Sequence, residues 1–98
     1  MSYNIFAETN NKINWEELNR KVSPQISIEY VPMPGMGISG GDAVGISIPS
    51  KNIRNGLWEE LKRVITILND EFHLDLYDMY YGTKIDTKNM DKIKENLA

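Results

Sequence analysis

The strongest constraint on this chain is the apolar stripe that follows Pro49-Ser50. Ile53, Leu57, Leu61, Val64, Leu68 and Phe72 recur at helical spacing, and Trp58 and Ile65 widen the stripe. A stripe this broad suits a helix lying on a sheet, not the narrow seam of a coiled coil. The spacing predicts a helix from about residue 51 to about residue 72. Glu59 and Arg63 are placed as an i,i+4 pair. Lys51, Arg54 and Lys62 read as part of a mixed, solvated face.

A helix of that kind needs strands, and the rest of the chain supplies them. Residues 3–8 alternate, with Tyr3, Ile5 and Ala7 on one face and Phe6 on the other. Asn14 then fits an N-cap, with Glu17 reaching back as in a capping box. Trp15, Leu18 and Val22 follow at helical spacing, and the helix ends before Pro24. Residues 25–31 alternate again, with Ile26, Ile28 and Tyr30 on one face. Residues 43–48 repeat the pattern, and Gly45 within them signals a bulge or a close backbone approach. Residues 74–81 read as a strand with Leu74, Leu76 and Tyr80 on one side and Tyr77, Met79 and Tyr81 on the other. Gly82 breaks it. Asp86 or Thr87 caps a last helix carrying Met90, Ile93 and Leu97.

The order is β-α-β-β-α-β-α. The simplest α+β fold with that order is a ferredoxin-like split β-α-β-β-α-β, a four-stranded antiparallel sheet with an added C-terminal helix. A length of 98 residues fits one domain. The chain is 41% hydrophobic and 26% charged, ordinary values for a globular domain that folds without a metal or a disulfide.

Composition removes several chemistries. With no cysteine there is no disulfide, thiolate zinc site, iron–sulfur cluster or cysteine nucleophile. With one histidine, His73, motifs that need two are gone. Acids outnumber bases by 14 to 11 and no Lys/Arg run occurs, which argues against nucleic acid as a partner. No apolar run approaches bilayer length, and the N-terminus lacks the features of a signal peptide. The expectation is a cytoplasmic protein without a membrane partner. Abundant Asn, Ile and Lys suggest an AT-rich, bacterial genome.

Gly35-Met36-Gly37-Ile38-Ser39-Gly40 matches G-x-G-x-x-G, but a dinucleotide site needs that turn to open a helix. Here it runs into Gly41-Asp42 and a strand. The plainer reading is a long hairpin loop over residues 32–42. Its apolar residues Met33, Met36 and Ile38 either return to the core or, with Asp42, contact a ligand or partner. Core return is the structural expectation. Under the contact reading, deleting residues 36–40 abolishes binding and leaves the melting temperature nearly intact.

His73 follows the long helix, where a cation complements the helix dipole; this reads as structural rather than catalytic. Asp70, Glu71, Asp75 and Asp78 place four acids within nine residues, beside Tyr77, Tyr80 and Tyr81. A solvated acidic face is the plain reading. The spacing fits no calcium loop, so no metal is expected. The functional reading is a protein-binding surface formed by Asp75, Tyr77, Asp78, Met79 and Tyr81. There tyrosines supply contact area and acids steer a basic partner. The outward sheet face is also open to a second copy of the chain.

The expectation is therefore a non-enzymatic binding protein without cofactors. In its most concrete form it is a small acidic bacterial inhibitor or immunity-type protein that covers a basic protein. The alternatives are a small-ligand or nucleotide-sensing domain using the 32–42 loop, and a small enzyme using Tyr, Asp and His73.

Overall fold

The computed structural model describes residues 2–22, 28–49, 57–79 and 82–90. They form one open antiparallel sheet of five strands with two helices. The strands are β1 (Ser2–Glu8), β2 (Glu29–Met33), β3 (Ala43–Pro49), β4 (Asp75–Asp78) and β5 (Lys84–Ile85). The helices are α1 (Trp15–Val22) and α2 (Leu57–Thr66). The spatial order is β2-β3-β1-β4-β5, and every neighbouring pair is antiparallel.

Alternation on β1 works as expected. Tyr3, Ile5 and Ala7 are buried and sit opposite Ile48, Ile46 and Val44 of β3. Leu18 and Val22 of α1 and Leu57, Leu61, Val64 and Ile65 of α2 pack onto this same face. That is why both helices carry a broad apolar stripe. Asn14 caps α1, its Oδ1 accepting the Glu17 N–H at 3.2 Å. Glu17 turns its carboxylate toward Lys21 Nζ at 3.6 Å, where the capping box had it reaching back. Lys21 also reaches Glu71 at 2.6 Å, which raises the lysine pKa and ties α1 to the end of the long helical segment.

Several expectations change. The sheet has five strands, not four, because Gly82 takes φ +70° and lets Lys84–Ile85 return along Tyr77 and Leu76. A two-residue strand is too short to show alternation. The strand expected at 25–31 pairs from Glu29 and runs on to Met33; residues 23–27 lie outside the described residues. Pro32 is tolerated because β2 is an edge strand, where a missing N–H costs no ladder bond. Gly45 makes no bulge. It stays in register with Phe6 and Val31, and a Cβ there would meet Met33 Sδ at 3.6 Å and Val31 Cβ at 3.7 Å.

The helix expected over 51–72 is described from Leu57 to Thr66 and then widens into a π-helical turn over Ile67–Glu71. It closes as the Leu74 N–H bonds the Leu68 carbonyl at 3.0 Å, with His73 left-handed at φ 55°. Histidine is among the residues that tolerate this conformation. The turn at 87–90 starts on Asp86, whose Oδ1 accepts the N–H groups of Lys88 and Asn89. Met90 is buried in the core. The rest of the expected last helix lies outside the described residues.

Arg63 shows how α2 holds α1. It pairs with Glu60 at 2.5 Å, not with Glu59. Its guanidinium also donates to the carbonyls of Lys21 at 3.0 Å and Val22 at 2.5 Å. These are last-turn carbonyls that α1 cannot satisfy itself. Arg63→Ala should cost about 1–2 kcal/mol in chemical denaturation, a figure kept low because the side chain is partly solvated. Arg63→Lys should recover less than half, because an ammonium lacks the planar fork.

Tyr30 carries a different strain. Its ring packs against the core, and its buried hydroxyl has no hydrogen-bond partner among the described residues. Burial pushes its pKa up to about 12. The neutral form is thus favoured in the fold. Its contribution to stability is complete below pH ~10, the unfolded value, and is lost as pH rises through about 12. Tyr30→Phe should gain about 1 kcal/mol at neutral pH by removing an orphaned donor. It should also abolish this alkaline loss, which denaturation series at rising pH will show.

Candidate functional site: the open sheet face

The two helices cover one face of the sheet, and the described residues leave most of the other open, although Ala43 on it is buried. Strand register decides what that face presents. Its central row is Val31, Gly45, Phe6, Tyr77 and Lys84, one residue from each strand in spatial order. The row on one side is Met33, Ala43, Glu8 and Asp75. The row on the other side is Glu29, Ser47 and Asn4. Met79 extends this row, because its N–H bonds the Asn4 carbonyl at 3.0 Å.

Two patterns emerge. Met33, Val31, Phe6, Tyr77 and Met79 form an apolar band that crosses the strands from one corner to the opposite one. Carboxylates occupy both flanks: Glu29 on one side, Glu8 and Asp75 on the other. Val31 is 46% exposed and Met79 60%, values high enough to make this an unpaired apolar surface. Phe6 and Tyr77 are half-buried. Asp75 faces Lys84 at 3.6 Å, so its charge is partly balanced.

The residues expected to bind a partner therefore divide. Asp75, Tyr77 and Met79 share the open face. Asp78 does not: it points into the helix-covered side, is 2% exposed and accepts the Tyr3 hydroxyl at 2.5 Å. The reason is the period of two along β4, which sends Leu76 and Asp78 inward together. Tyr81 lies outside the described residues, as does Tyr80. Val31 and Phe6 were not among the expected contacts. The signal was present, since residues between buried Tyr3, Ile5 and Ala7 must face the other way, but it gains meaning only once the strands are in register.

The hairpin read over 32–42 is present, since it joins the antiparallel neighbours β2 and β3, but its side chains are placed differently. Asp42 is no surface contact; it is the buried post around which the loop is wound. Its carboxylate accepts the Ile13 N–H at 2.8 Å and the Gly35 N–H at 2.9 Å. These bonds, Ile13 first, hold its pKa below the usual carboxylate range, helped by Lys12 at 3.8 Å. The backbone is tied too: Thr9 N–H to Asp42 O, Ile38 N–H to Thr9 O, Gly37 N–H to Gly41 O. Met36 and Ile38 do not return to the core; they are 62% and 39% exposed, Met36 in the loop and Ile38 at the start of a short 3-10 turn (Ile38–Gly40). Met33 is half-buried and belongs to the open face.

The glycine motif consequently lacks the form of a phosphate cradle. The amides of Gly35, Met36, Gly37, Ile38 and Gly41 are already spent on the protein's own oxygens. No α-helix begins there, only the three-residue 3-10 turn. Beside α1 a shallow cleft of about 180 Å³ is lined by Asn14, Glu16, Glu17 and Arg20. Among the described residues no group of three or more His, Asp or Glu side chains is placed to hold a metal ion. None of their helices is long and apolar enough to cross a membrane. Compared with family models, with curated proteins and with solved structures, the chain finds no match.

Proposed function

We propose that this protein is a non-catalytic binding protein whose open sheet face covers a basic protein partner. Its most concrete form is a small acidic inhibitor or immunity-type protein of a bacterial cytoplasm. The observation that carries the reading is the diagonal apolar band between Glu29 on one flank and Glu8 and Asp75 on the other. Apolar area supplies affinity, while surrounding carboxylates steer and orient a cationic partner. The strand order β2-β3-β1-β4, with a helix after β1 and another after β3, supports the ferredoxin-like reading of the fold. That architecture hosts many activities, so the function rests on the face and not on the fold.

The test is affinity purification from native cells, followed by titration with the purified partner. The expected partner is a basic protein whose Kd weakens steeply with salt. Asp75→Asn should weaken it severalfold with no loss of stability. A partner bound independently of salt overturns the reading. A shift of several degrees in melting temperature with a nucleotide or amino acid would favour the ligand-sensing alternative.

A further inference from the structure

We infer that the open face receives an amphipathic basic helix, so that the partner's leucine-type stripe lies along the Met33–Val31–Phe6–Tyr77–Met79 diagonal. This rests on the binding reading above and specifies the occupant.

The band's shape carries the argument. It spans three strand spacings of ~4.8 Å and about four residues along the strands at ~3.4 Å each, so its diagonal is about 20 Å long. A helix rising 1.5 Å per residue covers that length in about 13 residues, near the usual length of a protein helix. Met33 and Met79 lie at the two ends, where flexible thioether side chains adapt to the profile of the incoming stripe. Glu29 stands on one side of the band and Glu8 and Asp75 on the other. A helix seated along it therefore meets carboxylates on both flanks. The complementary helix carries one apolar stripe and cations on either side of it.

Charge also decides against a second copy. Among the described residues the face carries Glu8, Glu29 and Asp75 against Lys84 alone. Face-to-face pairing of two copies sets like charge on like charge, which disfavours the pair. Nor does a strand suit this geometry: strands add at sheet edges through backbone bonds, whereas this band crosses the sheet surface.

The test titrates the full-length, isotope-labelled protein with a designed helical peptide of about 18 residues, built from a leucine stripe flanked by lysines. The expected result is micromolar binding. Amide shifts should concentrate at Phe6, Val31, Gly45 and Tyr77. Affinity should fall about tenfold between ~50 and ~300 mM salt. The same peptide with glutamates replacing lysines should not bind. Val31→Lys and Met79→Lys, both at exposed positions, should each weaken binding about tenfold while leaving the melting temperature unchanged.

Four results overturn the inference: no binding of the lysine peptide, equal binding of the glutamate peptide, shifts on the helix-covered side, or no effect of Val31→Lys. Self-association of the free protein that Val31→Lys abolishes would make a second copy the occupant, and also overturns it. The broader reading is judged separately. If Val31→Lys weakens the native partner but the lysine peptide does not bind, the occupant is wrong and the binding reading stands; a native partner that tolerates Val31→Lys overturns both.

Discussion

Gly41→Ala should destabilise the domain by about 3 kcal/mol or more and lower its melting temperature by well over 10 °C. A Cβ at Gly41 would stand 2.2 Å from the Thr9 carbonyl oxygen and 2.6 Å from the Asn10 carbonyl carbon. At Gly37 it would stand 2.3 Å from the Asp42 oxygen and 2.5 Å from the Thr9 oxygen. All these neighbours are backbone, and the Thr9 and Asp42 oxygens are fixed by the N–H groups of Ile38 and Thr9, so they cannot swing aside. Gly37→Ala should behave like Gly41→Ala. The contrast lies at Gly35 and Gly40, which have positive φ and nothing within 4 Å of an added methyl group. There alanine should cost only the left-handed backbone penalty, about 1–2 kcal/mol. Thermal melts of the four variants check the ranking. Equal effects at all four sites would mean that the loop does not pack on residues 9–10. The same packing reverses the expectation for deleting residues 36–40: it should lower the melting temperature sharply.

Asp78→Ala should cost about 2–3 kcal/mol, whereas Asp75→Asn should leave stability within about 0.5 kcal/mol. The two acids are three residues apart, yet one faces the core and the other the open face. Removing the Asp78 carboxylate leaves the Tyr3 hydroxyl, buried on the inner side of β1, without the acceptor it reaches at 2.5 Å. Tyr3→Phe should show part of the same loss. If the double variant costs less than the sum of the two, the side chains act as a coupled pair. Urea denaturation of the single and double variants measures this. For the same reason, Asp78 is unsuited to probing partner binding, because its replacement disturbs the fold before it reports on a surface.

Much of the architecture was legible in local pattern. The alternation of Tyr3, Ile5 and Ala7, the cap at Asn14 and the stripe from Leu57 to Leu68 each express a physical period that a single segment displays. The fifth strand was not legible, because Lys84–Ile85 is too short to have a period and forms only where Gly82 turns the chain back on β4. The π-helical ending was hidden as well, since its widened turn keeps the apolar residues near their helical positions.

The candidate surface was legible only in part. Asp75, Tyr77 and Met79 were found from a local cluster of acids and aromatics. Composition could not tell Asp75 from Asp78, although parity along the strand could. Asp42 looked like a loop acid; that it accepts the N–H groups of Ile13 and Gly35 depends on two segments meeting, which no local pattern records.

The sequence by itself determined the α+β class, the inner faces of β1 to β4 and the absence of cysteine chemistry, because these follow from residue type and short-range periodicity. Only the tertiary structure decided which side chains became neighbours. Register across β2, β3, β1 and β4 aligned Met33, Val31, Phe6, Tyr77 and Met79 into one band and set the carboxylates on its flanks. Packing of the 32–42 loop onto residues 9–13 turned a glycine motif into a structural clasp. Both depend on contacts between residues far apart in the chain, where burial and hydrogen-bond satisfaction, rather than local preference, select the arrangement.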